Sequence, residues 1–227
     1  WFTVLDLKDA FFCIPLEFES QKLFAFEWEN PKMGRKTQLC WTVLPQGFKN
    51  SLTIFGHRLA KELETWQKDN KGVTLLEYVD DILLGTQTQE ESVRYTVDLL
   101  SFLGTTGYRA SKRKAQIAQQ TVTYLGFTIT KGQRSLGTER KEAICQMPEP
   151  RSKRDLRAFL GMAGWCRLWI INFGLTAKTF YEAVNGTGEI LEWTPECRKA
   201  FYQLSQDLMS APALGLPNLE KPFELFV

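Results

Sequence analysis

Leu75-Leu76-Glu77-Tyr78-Val79-Asp80-Asp81-Ile82-Leu83-Leu84 sets two apolar runs on either side of a pair of adjacent carboxylates. The pattern predicts two strands meeting at a tight, acidic tip. Folding alone gives no reason to bring two acids together there, because neighbouring like charges repel and disfavour each other's ionisation. Hard divalent cations such as Mg²⁺ offset that repulsion, since they take carboxylate oxygens as ligands. By itself the stretch fits two readings, a solvated Asp-Asp turn and a metal site. The rest of the chain has to decide.

The chain has 227 residues, 44% hydrophobic and 24% charged, with 16 Phe and 7 Trp. This is an ordinary globular composition, enough for one large domain or two modest ones, and it argues against disorder. Five cysteines, Cys13, Cys40, Cys145, Cys166 and Cys197, never form a C-x-x-C pair, and His57 is the single histidine. A zinc site or disulfide framework is therefore not expected, and a reducing compartment, cytoplasmic or virion-associated, fits better. No apolar run is long enough to span a bilayer and no charged-then-apolar leader opens the chain, so no membrane partner is expected. Trp1 and Pro222–Val227 read as parts of strands, which suggests a piece of a longer polypeptide.

The net charge of +2 conceals an asymmetry. Residues 107–178 hold 14 Lys and Arg against 4 Asp and Glu, a balance of +10, so the remainder holds 14 basic and 22 acidic residues, or −8. A basic half beside an acidic one suits a polyanion-binding surface next to a metal–carboxylate site, and equally a solvated basic face.

Along the chain, residues 1–16 read as a strand in which Asp6 interrupts an apolar run. A carboxylate there is costly unless paired or bound to a metal; a cap or turn role for Asp6 or Asp9 is the alternative. Residues 23–28 and 38–43 predict a hairpin with a longer loop. They lead to Leu44-Pro45-Gln46-Gly47, a rigid, close-approach backbone presenting one amide side chain. Asn50 or Ser51 then caps a helix to about Lys68, with Ile54, Leu59, Leu63 and Trp66 on its apolar face. A second helix, about 89–103, carries a stripe of Val93, Val97, Leu100 and Leu103 and is ended by Gly104 and Gly107. Tyr108–Lys114 is strongly basic, and residues 121–136 predict a further hairpin turning at Lys131-Gly132-Gln133. Helices follow at about 138–147, 153–161 (capped by Ser152), 163–172, 175–184 and 195–210. Strands and helices thus alternate over residues 1–137, as in an α/β or α+β domain, and a helical unit over 138–210 and a Pro-rich, linker-like stretch from 211 follow.

Leu5–Phe12 (LDLKDAFF), Leu44–Ser51 (LPQGFKNS), Tyr78–Asp81 (YVDD), Tyr124–Phe127 (YLGF), Leu156–Ile170 (LRAFLGMAGWCRLWI) and Ala211–Val227 (APALGLPNLEKPFELFV) occur in this order. Together they resemble the gammaretroviral, murine-leukaemia-virus-like reverse transcriptases of Pol polyproteins, including endogenous retrovirus fragments. The resemblance covers essentially the whole chain. It implies an α+β fold: a palm with a central antiparallel sheet flanked by helices, and a remnant of the fingers, over residues 1–137. An α-helical thumb over 138–210 and a linker with the truncated start of a connection or RNase H-like domain over 211–227 follow. It also implies RNA-directed DNA polymerase activity: template-directed transfer of dNMP to a primer 3′-hydroxyl, with two Mg²⁺ ions (or Mn²⁺) held by Asp6, Asp80 and Asp81. Lys8, Asp9, Phe11 and Gln46 match the nucleotide pocket, Phe11 being the aromatic that meets the sugar and rejects a 2′-hydroxyl. Val79 would lie beside the primer end. Tyr124, Leu125 and Gly126 match the primer grip, and Arg151, Lys153, Arg154 and Arg157 would contact phosphates of a template–primer. The expected partners are an RNA or DNA template with a DNA primer, dNTP and the rest of the Pol polyprotein.

Some positions depart from the family pattern. Its triphosphate-gripping basic residues would lie upstream of Trp1, Leu52 stands where Pro is usual, and Ser135 where an aromatic is usual. The ribonuclease H acids would lie beyond Val227, so that activity is not assigned. A catalytically inactive nucleic-acid-binding remnant is the alternative reading.

Overall fold

β1 (Phe2–Lys8) is the strand on which the first half of the protein is built: Thr3, Val4, Leu5 and Leu7 are all buried, so both of its faces are covered. The computed structural model describes residues 1–186 and 190–215. The strand stops at Lys8. Asp9 takes a left-handed conformation (φ 55°), and Ala10–Cys13 form a 3-10 turn instead of the continued strand that the apolar pattern predicts. After α1 (Phe18–Gln21) and a second 3-10 turn come β2 (Ala25–Glu29) and β3 (Lys36–Cys40), a hairpin of their own with every residue exposed.

α2 (Ser51–Asp69) buries Phe55, Leu59, Leu63 and Trp66, while Ile54 faces outward. β4 (Thr74–Tyr78) and β5 (Asp81–Gly85) pair antiparallel around the two-residue turn Val79–Asp80. α3 (Gln89–Thr105) opens on a capping box, Thr88 with Glu91, which satisfies otherwise orphaned backbone N–H groups. β6 (Arg109–Ala110) and β7 (Gln116–Gln119) complete a five-stranded antiparallel sheet ordered β4-β5-β1-β6, with β7 also on β1.

The buried stripe of α3 is only partly the expected one: Leu103 is buried and Leu100 packs against the core. Val93 and Val97 are exposed, and Ser92, Thr96, Leu99 and Leu103 face inward. The reason lies on β1. Thr3 Oγ1 accepts hydrogen bonds from the Thr96 hydroxyl (2.9 Å) and the Ala118 N–H (3.0 Å) and lies 3.3 Å from Ser92 Oγ. These small hydroxyl groups satisfy one another, so burying them leaves no unpaired polar atom. The Ala118 N–H is available because the β1–β7 register shifts between Phe2 and Val4, placing a bulge opposite Thr3.

Contacts divide the chain into two units, Trp1–Val122 and a second beginning at Thr123. The division precedes residue 137 because the second hairpin packs with the helices: Leu136 belongs to their core and Phe127 lies against it. In this second unit β8 (Val122–Tyr124), β9 (Phe127–Thr130), β10 (Gln133–Leu136) and β11 (Leu214–Gly215) form a four-stranded sheet ordered β11-β10-β9-β8. The helices are α4 (Thr138–Cys145), α5 (Lys153–Trp165), α6 (Phe173–Asn185) and α7 (Pro195–Met209). α5 runs through Gly161, where an end was expected. Residues 167–169 form only a 3-10 turn within the helix expected at 163–172. Leu156, Phe159, Ala163, Phe180, Phe201, Leu204 and Leu208 make the helical core.

The fold is α+β, mixed helix and antiparallel sheet; of the two classes that the patterns leave open, it is the one that the resemblance implies. The strand-like run at 222–227 lies outside the described residues. Among the described residues, no helix is long and apolar enough to cross a membrane.

Candidate active site

The register of the central sheet brings the acids of two distant segments together. Asp6 on β1 and Asp81 on β5 are direct cross-strand partners. Residues so paired have Cβ atoms about 5 Å apart, on the same face. Asp80 occupies the turn beside them, and its carbonyl accepts the Leu7 N–H at 2.8 Å, which extends the β1–β5 ladder to the tip of the hairpin. Val79, the other turn residue, has φ 56° and packs against the core of the unit. Two-residue hairpins require such left-handed torsions to match strand twist, but Asn or Gly usually supplies them. A β-branched residue there is a strained choice.

Burial pushes the Asp81 carboxyl above its ordinary value; the negative charges of Asp80 and Asp6 add to the shift and Lys114 opposes it. Lys114 was not singled out from the sequence. Its Nζ donates to Asp6 Oδ2 at 2.8 Å, and that bond raises the Lys114 pKa. Arg109 pairs with Asp9 at 3.2 Å. The signal in the sequence was the basic run 109–114, but composition does not say which of its cations reaches an acid 108 residues earlier.

As a donor set, three carboxylates suit a hard divalent ion. Among the described residues, however, no group of three or more His, Cys, Asp or Glu side chains is gathered closely enough to hold a metal. Asp6 and Asp81 face each other across the strands, and a cation, the Lys114 ammonium, already sits against Asp6.

Around the acids, Lys8 is exposed at the end of β1 opposite Arg109. Phe11 packs edge-on against Phe55 (5.6 Å, 84°), while Phe12 stacks on Trp41. Gln46 is exposed in a loop whose next residue, Gly47, has φ 86°, and the Ser51 hydroxyl ties that loop down by donating to the Pro45 carbonyl at 2.8 Å.

The remaining predicted site residues belong to the second unit. Tyr124 is buried, and Leu125 and Gly126 form the two-residue turn between β8 and β9 with φ 51° and 79°. Arg140 lies against this turn, its guanidinium 3.8 Å from the centroid of the Trp165 ring. Trp165, Phe127 and Trp169 stack in turn, with Arg134 over Phe127 and Trp169. An open cavity of about 780 Å³ beside the turn is lined by Gly126, Thr128, Thr138, Arg140 and Met162, among others. Arg154 and Arg157 are exposed on α5. Arg151 precedes the Ser152 cap and so is not on the helix, and Lys153 Nζ is engaged by the Gly186 carbonyl at 2.6 Å.

The family described as "Reverse transcriptase (RNA-dependent DNA polymerase)" matches residues 1–129, more than half of the chain. The chain belongs to the reverse transcriptase family. It is 51% identical over all 227 residues to the Gag-Pol polyprotein of avian reticuloendotheliosis virus, 51% to that of feline leukemia virus and 50% to the Pol polyprotein of feline endogenous virus ECE1. It spans 20%, 13% and 22% of those polyproteins. Among solved structures, the foamy viral protease-reverse transcriptase in complex with dsDNA is similar over 97% of this chain and 44% of that one (TM-score 0.85, 30% identity). The same enzyme with an RNA/DNA hybrid matches over 92% of this chain and 27% of that one (TM-score 0.79, 31% identity).

Proposed function

We propose that this reverse transcriptase chain is the palm and thumb portion of an RNA-directed DNA polymerase, adding dNMP to a primer 3′-hydroxyl. The observation that carries the reading is the register that sets Asp6 opposite Asp81, with Asp80 next to it in the turn. Asp6, Asp80 and Asp81 would hold the divalent ions, Mg²⁺ or Mn²⁺. When bound, such ions activate the primer hydroxyl and neutralise charge on the triphosphate.

The protein's own part is binding and orientation. Phe11, braced by Phe55, would meet the nucleotide sugar, Lys8 and Asp9 would serve its phosphates, and Gln46 would line the pocket and contact the template. Val79 would border the primer end. In the second unit, the Tyr124-Leu125-Gly126 turn would hold the primer strand, and Arg151, Arg154 and Arg157 would contact phosphates without reading sequence. Lys153 contributes least, since its ammonium already serves the Gly186 carbonyl.

Primer extension by the chain with Mg²⁺ or Mn²⁺, beside an Asp80→Asn variant, tests the reading. Extension lost in the variant supports it. Duplex binding without extension by the wild-type chain overturns it in favour of the inactive remnant.

A further inference from the structure

We infer that Arg140 is a positioning residue for the primer strand: its guanidinium fixes where the Leu125–Gly126 turn stands. The inference rests on the reading of the Tyr124-Leu125-Gly126 turn as the holder of that strand. Gly126 is the point of contact. A Cβ built there would lie 2.8 Å from Arg140 Nη2 and 3.2 Å from both Cζ and Nε, so the guanidinium covers the glycine broadside. The same guanidinium stands 3.8 Å from the centroid of the Trp165 ring. Trp165 stacks at 4.3 Å on Phe127, the residue that follows Gly126 in the chain. Gly126, Arg140, Trp165 and Phe127 therefore close a ring of contacts that takes in one residue of the turn.

A second tie comes from the start of α4. The Gly137 N–H donates to the Gly126 carbonyl at 3.3 Å, and a Cβ on Gly137 would lie 3.0 Å from that oxygen. The two glycines leave the room that lets the first turn of α4 lie directly on the hairpin. Arg140 is exposed, and among the described residues no ion pair includes it. Its place is set by flat contact with a ring and a glycine, which a planar guanidinium makes and a compact lysine ammonium does not. Arg140 on this account acts on the primer through the turn, as a rigid support that keeps a binding group in place.

Duplex binding and photocrosslinking test this without polymerisation. A primer–template with 5-iodouracil near the primer 3′ end should crosslink to the tryptic peptide Ala115–Lys131, read by mass spectrometry. Arg140→Gln and Arg140→Lys should each lower that yield about fivefold, because a small displacement of the turn removes a close approach. Duplex affinity should stay within about twofold of wild type, with the same dependence on salt, which also reports that both variants fold. Wild-type yield in both variants overturns the inference and leaves the primer reading standing. A yield restored by Arg140→Lys, or a salt slope lower by about one in Arg140→Gln, overturns it too, because Arg140 is then a direct phosphate contact. If the wild-type chain binds the duplex but Ala115–Lys131 takes no crosslink, the primer reading fails, and the inference with it.

Discussion

Two hairpin turns of the same length sit in the two units and are built from opposite materials. Leu125–Gly126 has both residues at positive φ, with Gly126 where a Cβ would lie 2.8 Å from the Arg140 guanidinium. It is a turn chosen for geometry. Val79–Asp80 places a β-branched residue at φ 56° and follows it with two acids. Strain and like charge concentrated at one tip are tolerated where the surrounding structure holds them, here the sheet ladder below and the core packing of Val79. One turn serves the fold; the other uses stability that the fold supplies.

The sharpest way to break this contrast is to give the acidic turn ideal chemistry. Val79→Asn combined with Asp80→Gly should raise the melting temperature yet lower primer extension about 10³-fold, since an electrostatic contact made in the transition state is lost. Retained extension would show that the tip is only a turn. A smaller effect comes from reversing the materials. Gly126→Ala should destabilise the second unit by about 1–2 kcal/mol in urea unfolding, because a side chain at φ 79° is disfavoured. Val79→Gly should change stability by less than about 1 kcal/mol, strain relief offsetting lost packing.

The smallest expected effect separates the units by pH. Glu149 accepts hydrogen bonds from Tyr202 and from Arg198 and Trp193, and these hold its carboxyl below the ordinary value of 4.5. A depressed carboxyl contributes stability that is complete above its unfolded value and is lost as pH falls through the lower folded one. Asp81 is raised, so its charged form opposes folding, and unit 1 gains as that carboxylate takes up a proton. Melting followed from pH 6 to pH 3 should therefore show the second unit losing more stability than the first. Glu149→Gln should reduce that difference, and the lowered carboxyls of Asp155 and Glu196 should sustain the remainder.

Much of the site was legible in the sequence because its signals are local. A doubled acid between apolar runs, an acid inside a strand, and a glycine beside a presented amide each reflect a residue type that folding alone does not favour. The helix start at Ser152 was legible for the same reason, since its capping box closes over four residues. Errors came where the sequence offered two equivalent patterns. On α3, Val93 and Val97 and the neighbouring Ser92 and Thr96 have the same helical spacing, and hydrophobicity favours the wrong pair. Thr3, on a strand 89 residues away, selects the other face by matching its hydroxyl groups.

The sequence by itself therefore determined the alternation of strands and helices, the caps, and which carboxylates stand in costly places, because all of these follow from propensity and charge within a few residues. Only the tertiary structure decided that Asp6 faces Asp81, that α3 buries hydroxyl groups, and that of the cations between 109 and 114 it is Lys114 that reaches Asp6. Those depend on sheet register and on contacts some 75 to 108 residues apart, and a one-residue slip in register would send every side chain to the other face.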